Sequence, residues 1–520
     1  MDKKITASLI LLMAAASHSA LANDPQVALD SGRISGTETQ GVDAFTGIPF
    51  AAPPIGELRW QPPQPVQSWN GIRPATAYGK DCMQNPFPGD AAPLGVGFSE
   101  DCLTINVWRP ANATGPLPVM VWIYGGGFVN GGASPEIYSG QEFARQGVVF
   151  VSFNYRVGRF GFFAHPALAD QPLRGNYGLM DQVAALKWVQ KNIVVFQGDP
   201  QNVTLFGESA GGFAVGSLLT SELSQGLFQK AIIQSGSGRQ NIVPNQSWQK
   251  AEQAGLAFAS ANGISGHDAK ALTALRQIPA EKVVNGLNMA SMNTPDYSGP
   301  MLDGKAIAAE PQDSYRQGNF QRVPLMIGAT DADISFPPKV TTSDDAVAVF
   351  PASDRQQALQ AYHGMSPQEI AKAVSSDRFM VEPARFVARI WEKAALPVWQ
   401  FRFGYVADSM RAQWPAAVHA SEIPYVFNTV AARYGEKTTP QDRAVAQQMN
   451  QYWVNFARTG NPNASGLPAW NAYSSQKDNI LFIPATGAEH TREMVDPWRV
   501  RLDLIEKLAE SGAPSRCETR

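Results

Sequence analysis

Val203-Thr-Leu-Phe-Gly207-Glu208-Ser209-Ala210-Gly211-Gly212 is an apolar, strand-like run that breaks off in small residues around a single serine. The run predicts a buried strand, and Phe213 to Thr220 behind it predicts a helix. A serine between the two, with glycine two positions to either side, fits the strained turn that presents a nucleophile. Such a turn forces the serine into an unfavourable backbone conformation. A Cβ at Gly207 or Gly211 would crowd the adjoining strand and helix. The serine oxygen then stands above the sheet at the positive end of a helix. The blander reading of the same residues is a glycine-rich connection with an N-capping serine.

A second run, Val119-Met-Val-Trp-Ile-Tyr124-Gly125-Gly126-Gly127-Phe128, stops in three glycines. Hydrolysis by a serine needs donors for the oxyanion of the tetrahedral intermediate, each contributing a few kcal/mol. A loop without side chains lets main-chain N–H groups approach that oxygen. The candidates are Gly126 and Gly127, with Ala210 after the serine. A phosphate loop is the competing reading. It is disfavoured because Phe128-Val129-Asn130 follows where such a loop needs Lys and Ser or Thr.

With these two segments on the page, the chain resembles the type-B carboxylesterases, the family that includes the cholinesterases and bacterial para-nitrobenzyl esterases. The resemblance runs nearly end to end. It is carried by Gly47-Ile-Pro-Phe-Ala-Ala-Pro-Pro-Ile-Gly56, Leu58-Arg59-Trp60, Ser99-Glu-Asp-Cys102-Leu-Thr-Ile-Asn106, Asn154-Tyr-Arg-Val-Gly158, Asn176-Tyr-Gly-Leu-Met-Asp181-Gln182 and Gly198-Asp-Pro200. Many members carry His where this chain has Tyr124; the cholinesterases carry Tyr. The resemblance implies an α/β-hydrolase fold: a mostly parallel central sheet flanked by helices, with helical cap insertions. It also implies a serine ester hydrolase that works through a Ser-acid-His triad and an acyl-enzyme, without a cofactor.

The base follows from chain order and elimination among six histidines. In this fold the order is nucleophile, acid, histidine. His18 lies in the leader and His165 precedes the serine. His267 reads as a solvated helix start, His363 as a turn before the helix at Pro367, and His490 precedes a charged stretch. His419 remains, in Trp414-Pro-Ala-Ala-Val-His419-Ala-Ser-Glu422-Ile-Pro-Tyr-Val-Phe427, which resembles the family's histidine loop. For the acid, Val323-Pro-Leu-Met-Ile-Gly328-Ala-Thr-Asp331-Ala-Asp333-Ile334 predicts a strand over Leu325 to Ile327 ending in a small-residue turn. The family pattern places its acid five residues past the glycine, at Asp333. Glu is commoner there, and a glycine usually follows where this chain has Ile334. Asp331 stays as the alternative. Glu208 reads as a bystander whose side chain should point away from His419.

The remaining sequence is consistent with one large unit. No linker, repeat or low-complexity stretch divides residues 27 to 510, so residues 23–520 read as one catalytic domain. Runs such as Val148 to Phe153 alternate with helical periodicity such as Leu179 to Val195, the pattern of a parallel sheet covered by helices. The Ala- and Leu-rich stretch from about Trp248 to Gln312 reads as part of a cap. Residues 1–22 read as an export leader: Lys3 and Lys4, an apolar core from Ile5 to Ala16, then Ala20-Leu21-Ala22. Cys82 and Cys102 match the family's first disulfide, and Cys517 is left over in a charged tail, as a free thiol or for intermolecular pairing. Leader and cysteines together point to the periplasm or the medium. A formal charge of −3 without a basic run gives nucleic-acid binding no support, and no segment is long enough for a membrane span. The partner expected is a small ester. Aromatic residues near the motifs, Trp122, Phe128 and Phe213, suggest uncharged or aromatic esters. A lipase or an amidase would share the triad.

Overall fold

A computed structural model describes residues 24–90, 92–236, 238–239 and 245–511. The leader and Cys517 lie outside the described residues.

Eleven strands form the main sheet. In chain order they are β1 (Thr37–Thr39), β2 (Val42–Pro49), β3 (Thr104–Pro110), β4 (Leu117–Ile123), β5 (Val149–Phe153), β6 (Gly198–Glu208), β7 (Lys230–Gln234), β8 (Leu325–Thr330), β9 (Val398–Phe403), β10 (Asn479–Ile483) and β11 (Arg492–Val495). Across the sheet they run β11-β10-β9-β8-β7-β6-β4-β5-β3-β2-β1. The block from β10 to β5 is parallel, and antiparallel pairs close both edges. This is the mostly parallel sheet that the alternating pattern predicts. Its central strands read as unbroken apolar runs because both faces are covered: every residue from Val119 to Ile123, from Val149 to Phe153 and from Leu325 to Thr330 is buried.

Helix α1 (Tyr177–Asn192) and the turn after it fill the predicted helical stretch up to Phe196. Helix α2 (Ala210–Thr220) begins three residues earlier than predicted, directly after Ser209. The 248–312 stretch is helical as expected, with helices over Trp248–Ala261, Ala269–Arg276 and Ala280–Val284. It has a core of its own, where Phe258, Leu275, Ile278 and Val283 pack with Trp60, Phe163 and Tyr177, apart from the core under the main sheet.

Cys82 and Cys102 are joined in a disulfide with their Cα atoms 5.0 Å apart. Two residues beyond Cys82, the Gln84 amide donates to the carbonyl of Gly131 (2.7 Å) and its oxygen accepts from the Gly131 N–H (2.9 Å). The disulfide segment is thereby tied to the glycine loop that ends β4.

Candidate active site

Parallel sheets gather ligands at the carboxyl ends of their strands, and the candidate residues converge there. β6 ends at Glu208, and Ser209 caps α2 with φ +55° and ψ −125°. This is a costly conformation for a residue with a side chain, held by its N–H donating to Gln234 O (3.0 Å) and its carbonyl accepting from Phe213 N (2.8 Å). The flanking glycines are steric necessities. A Cβ on Gly207 would fall 2.5 Å from the carbonyl carbon of Gly211, and one on Gly211 would overlap the carbonyl oxygen of Ile123.

The end of β4 supplies the glycine loop. Gly126 and Gly127 have φ of +111° and +62°, and Phe128 follows at +60°. The carbonyl of Gly126 accepts from Asn130 N at 2.9 Å and Val129 N at 3.2 Å, fixing the peptide that carries the Gly127 N–H. The cap reaches down to the same loop. The Tyr297 hydroxyl donates to Gly127 O at 3.1 Å, and Met289 N donates to Asn130 Oδ1 at 2.9 Å. Tyr124 and Tyr155 stack with ring centroids 4.5 Å apart and bond each other's backbone, which fixes the start of the loop.

The turns after β8 and β9 bring Asp333 and His419 together. His419 Nδ1 lies 2.6 Å from Asp333 Oδ1. Ile334 N donates to that same oxygen at 2.7 Å. The other oxygen, Oδ2, accepts from the Ser235 hydroxyl (2.6 Å) and from Thr330 N (3.0 Å). Burial alone would push the Asp333 carboxyl up. His419 and these donors outweigh it and hold the carboxyl below its ordinary value. The turn that presents His419 is pinned to the acid turn by a bridge between Ala332 and Val418.

Asp331 is placed elsewhere. Its amide bonds Phe403 O (2.9 Å) and its side chain packs on Gly404. Burial pushes its carboxyl up to about 6 against the pull of Arg402. Of the other histidines, His165 is buried while His267, His363 and His490 are exposed.

Glu208 departs from its expected position. Its carboxylate faces the imidazole, with Oε1 3.2 Å from His419 Nε2. Strand alternation ceases to apply at a residue followed by a left-handed one, so the side chains of 208 and 209 need not diverge. Glu422 adds a third buried carboxylate, accepting from Gln234 Nε2 at 2.9 Å, while Gln234 accepts from Trp453 Nε1 at 3.1 Å. Burial would lower the His419 imidazolium, but Glu208 and Asp333 outweigh it and push its pKa up to about 10. Burial also raises Glu208 well above the ordinary carboxylate value and Glu422 to about 7. Glu208 and His419 therefore compete for one proton. Among the described residues no group of three or more His, Cys, Asp or Glu is arranged to hold a metal ion.

The family model for the carboxylesterase family matches residues 23–497. The chain is 35% identical to the fumonisin B1 esterase of Sphingopyxis macrogoltabida, over 90% of this chain and 88% of that one. It is 33% identical to the para-nitrobenzyl esterase of Bacillus subtilis (strain 168), covering 87% and 93%. It is 34% identical to the human (Homo sapiens) cocaine esterase, covering 92% and 90%. A solved PNB esterase superposes with a TM-score of 0.80 at 31% identity, covering 92% of this chain and 99% of that one. Fold and comparisons together define an ester hydrolase of the α/β-hydrolase class. The chain belongs to the carboxylesterase family, and is an enzyme acting on carboxylic ester bonds.

Proposed function

We propose that this esterase works through Ser209, His419 and Asp333, and that it does so outside the cytoplasm. The observation that carries the triad is the 2.6 Å contact between His419 Nδ1 and Asp333 Oδ1, beside a serine held in a strained elbow. His419 takes the Ser209 proton at Nε2 as the hydroxyl attacks the ester carbonyl. Asp333 holds the ring in the required tautomer and stabilises the imidazolium. The tetrahedral oxyanion rests on the N–H groups of Gly126, Gly127 and Ala210. His419 then returns the proton to the leaving alcohol, and water activated by the same base releases the acid from Ser209. Export is supported by the leader-like residues 1–22, removed before Asn23, and by the Cys82–Cys102 disulfide. Among the described residues no helix is long and apolar enough to cross a membrane.

A fluorophosphonate probe followed by peptide mapping tests the chemistry. Modification at Ser209 in the wild type, with no labelling and no ester hydrolysis in a folded Ser209→Ala variant, is the expected result. Labelling of that variant, or activity near wild type, overturns the assignment.

A further inference from the structure

A cavity of about 240 Å³ has His419 in its lining. Gly89, Trp414, Pro424 and Tyr434 line it together with His419, and Arg433 is its one arginine or lysine. The volume is below that of a drug-sized pocket and suits a single small group. Arg433 is half-buried, and among the described residues its side chain is in no ion pair. A cation drawn partly out of water without a counter-charge is costly. The five-residue helix Val430–Tyr434 that carries it is too short for its dipole to offset much of that cost. The carboxylates around His419 and Tyr434 are engaged with other groups: Asp333 and Glu208 with His419, Glu422 with Gln234, Asp442 with Thr439 and Tyr405. Asp90, next to Gly89, has interactions of its own.

We propose that this cavity receives the alcohol portion of the ester and that Arg433 selects alcohols bearing a carboxylate. The side of the reaction follows from the chemistry. His419 has to reach the leaving oxygen to protonate it, so a cavity with His419 in its lining takes the leaving group rather than the acyl chain. The charge preference follows from the guanidinium, whose planar fork pairs with a carboxylate through two charge-assisted hydrogen bonds. Trp414 gives an aromatic ring bearing that carboxylate a face to pack on. This inference rests on the triad and the esterase reading above, and it replaces the sequence-based leaning towards uncharged esters with a commitment to anionic ones.

The test compares 4-acetoxybenzoate with its methyl ester. Both release acetate, and their alcohols differ in one negative charge. The quantity read is the ratio of the two kcat/KM values in wild type, Arg433→Gln and Arg433→Lys, which cancels any general loss of activity. The ratio should fall about tenfold in Arg433→Gln, as expected for loss of a charge-assisted contact. It should fall less in Arg433→Lys. In the wild type, 4-hydroxybenzoate should compete with a neutral substrate more strongly than methyl 4-hydroxybenzoate does, an arm that needs no variant to fold. A ratio within twofold of wild type in Arg433→Gln, or no advantage for the charged competitor, overturns the proposal. Failure of wild type to hydrolyse either ester, with no fluorophosphonate labelling at Ser209, sinks the proposed triad instead.

Discussion

Glu208 Oε1 lies 3.2 Å from Nε2 of His419, the nitrogen that takes the Ser209 proton in the proposed mechanism. A charged Glu208 raises the proton affinity of that nitrogen, and only the neutral imidazole can act as base. Glu208→Gln removes the charge at constant shape, so the His419 pKa should fall. The acidic limb of the kcat/KM profile should then move to lower pH by about one unit or more. A limb that stays in place would mean that burial keeps Glu208 protonated across the range.

Asp333 and Asp331 separate cleanly by substitution. Asp333→Asn favours the wrong imidazole tautomer and should lower kcat by roughly 10³-fold or more. Asp331→Asn, on a side chain packed against Gly404, should cost less than tenfold. Steady-state kinetics on one p-nitrophenyl ester decides, and the reverse ranking would show that the turn is displaced.

Ser235 and Thr330 hold one oxygen of Asp333 while His419 uses the other. Ser235→Ala should lower kcat about tenfold with KM nearly unchanged, the range expected for a partner that orients a functional group. A rise in KM without a change in kcat would instead mean that Ser235 shapes the substrate cavity.

The two loop glycines should differ in tolerance. A Cβ on Gly126 would strike the backbone carbonyl of Asn130, whereas one on Gly127 would meet Met292 Sδ at 2.6 Å, the movable part of a flexible side chain. Gly126→Ala should lose roughly 10²–10³-fold in kcat, the effect of losing an oxyanion donor. Gly127→Ala should lose less, because a φ near +60° is the less forbidden of the two.

Replacing both Cys82 and Cys102 by Ser should remove roughly 3 kcal/mol on the chain-entropy account for a separation of 20 residues. The melting temperature should drop a few degrees per kcal/mol for a chain of this size, as read by calorimetry. Because Gln84 grips Gly131, kcat should fall as well. Unchanged kcat would show that the glycine loop holds its shape without the disulfide.

The legible parts of the site are those enforced locally. Glycines at 207, 211, 126 and 127 are required by backbone crowding or by positive φ, so the elbow and the glycine loop can be read from a few residues. The periodic runs of β4 to β8 give the sheet for the same reason. Choosing between Asp331 and Asp333 needs the bridge between Ala332 and Val418, a relation between distant turns. In sequence terms only a family spacing pointed to Asp333. The direction of Glu208 is not legible in sequence because alternation along β6 ends where Ser209 turns left-handed. Ser235, Gln84, Tyr297 and Arg433 carried no signal, since each meets the site from a remote segment.

The proposed acid and base, Asp333 and His419, lie 86 residues apart in the chain, and both follow the proposed nucleophile, Ser209. During synthesis the elbow segment is therefore made long before its proton acceptor exists. On the proposed triad, a partly folded chain stays chemically inert until β8 has docked beside β7 and β9 beside β8. Turnover thus reports that the sheet has assembled from β6 through β9.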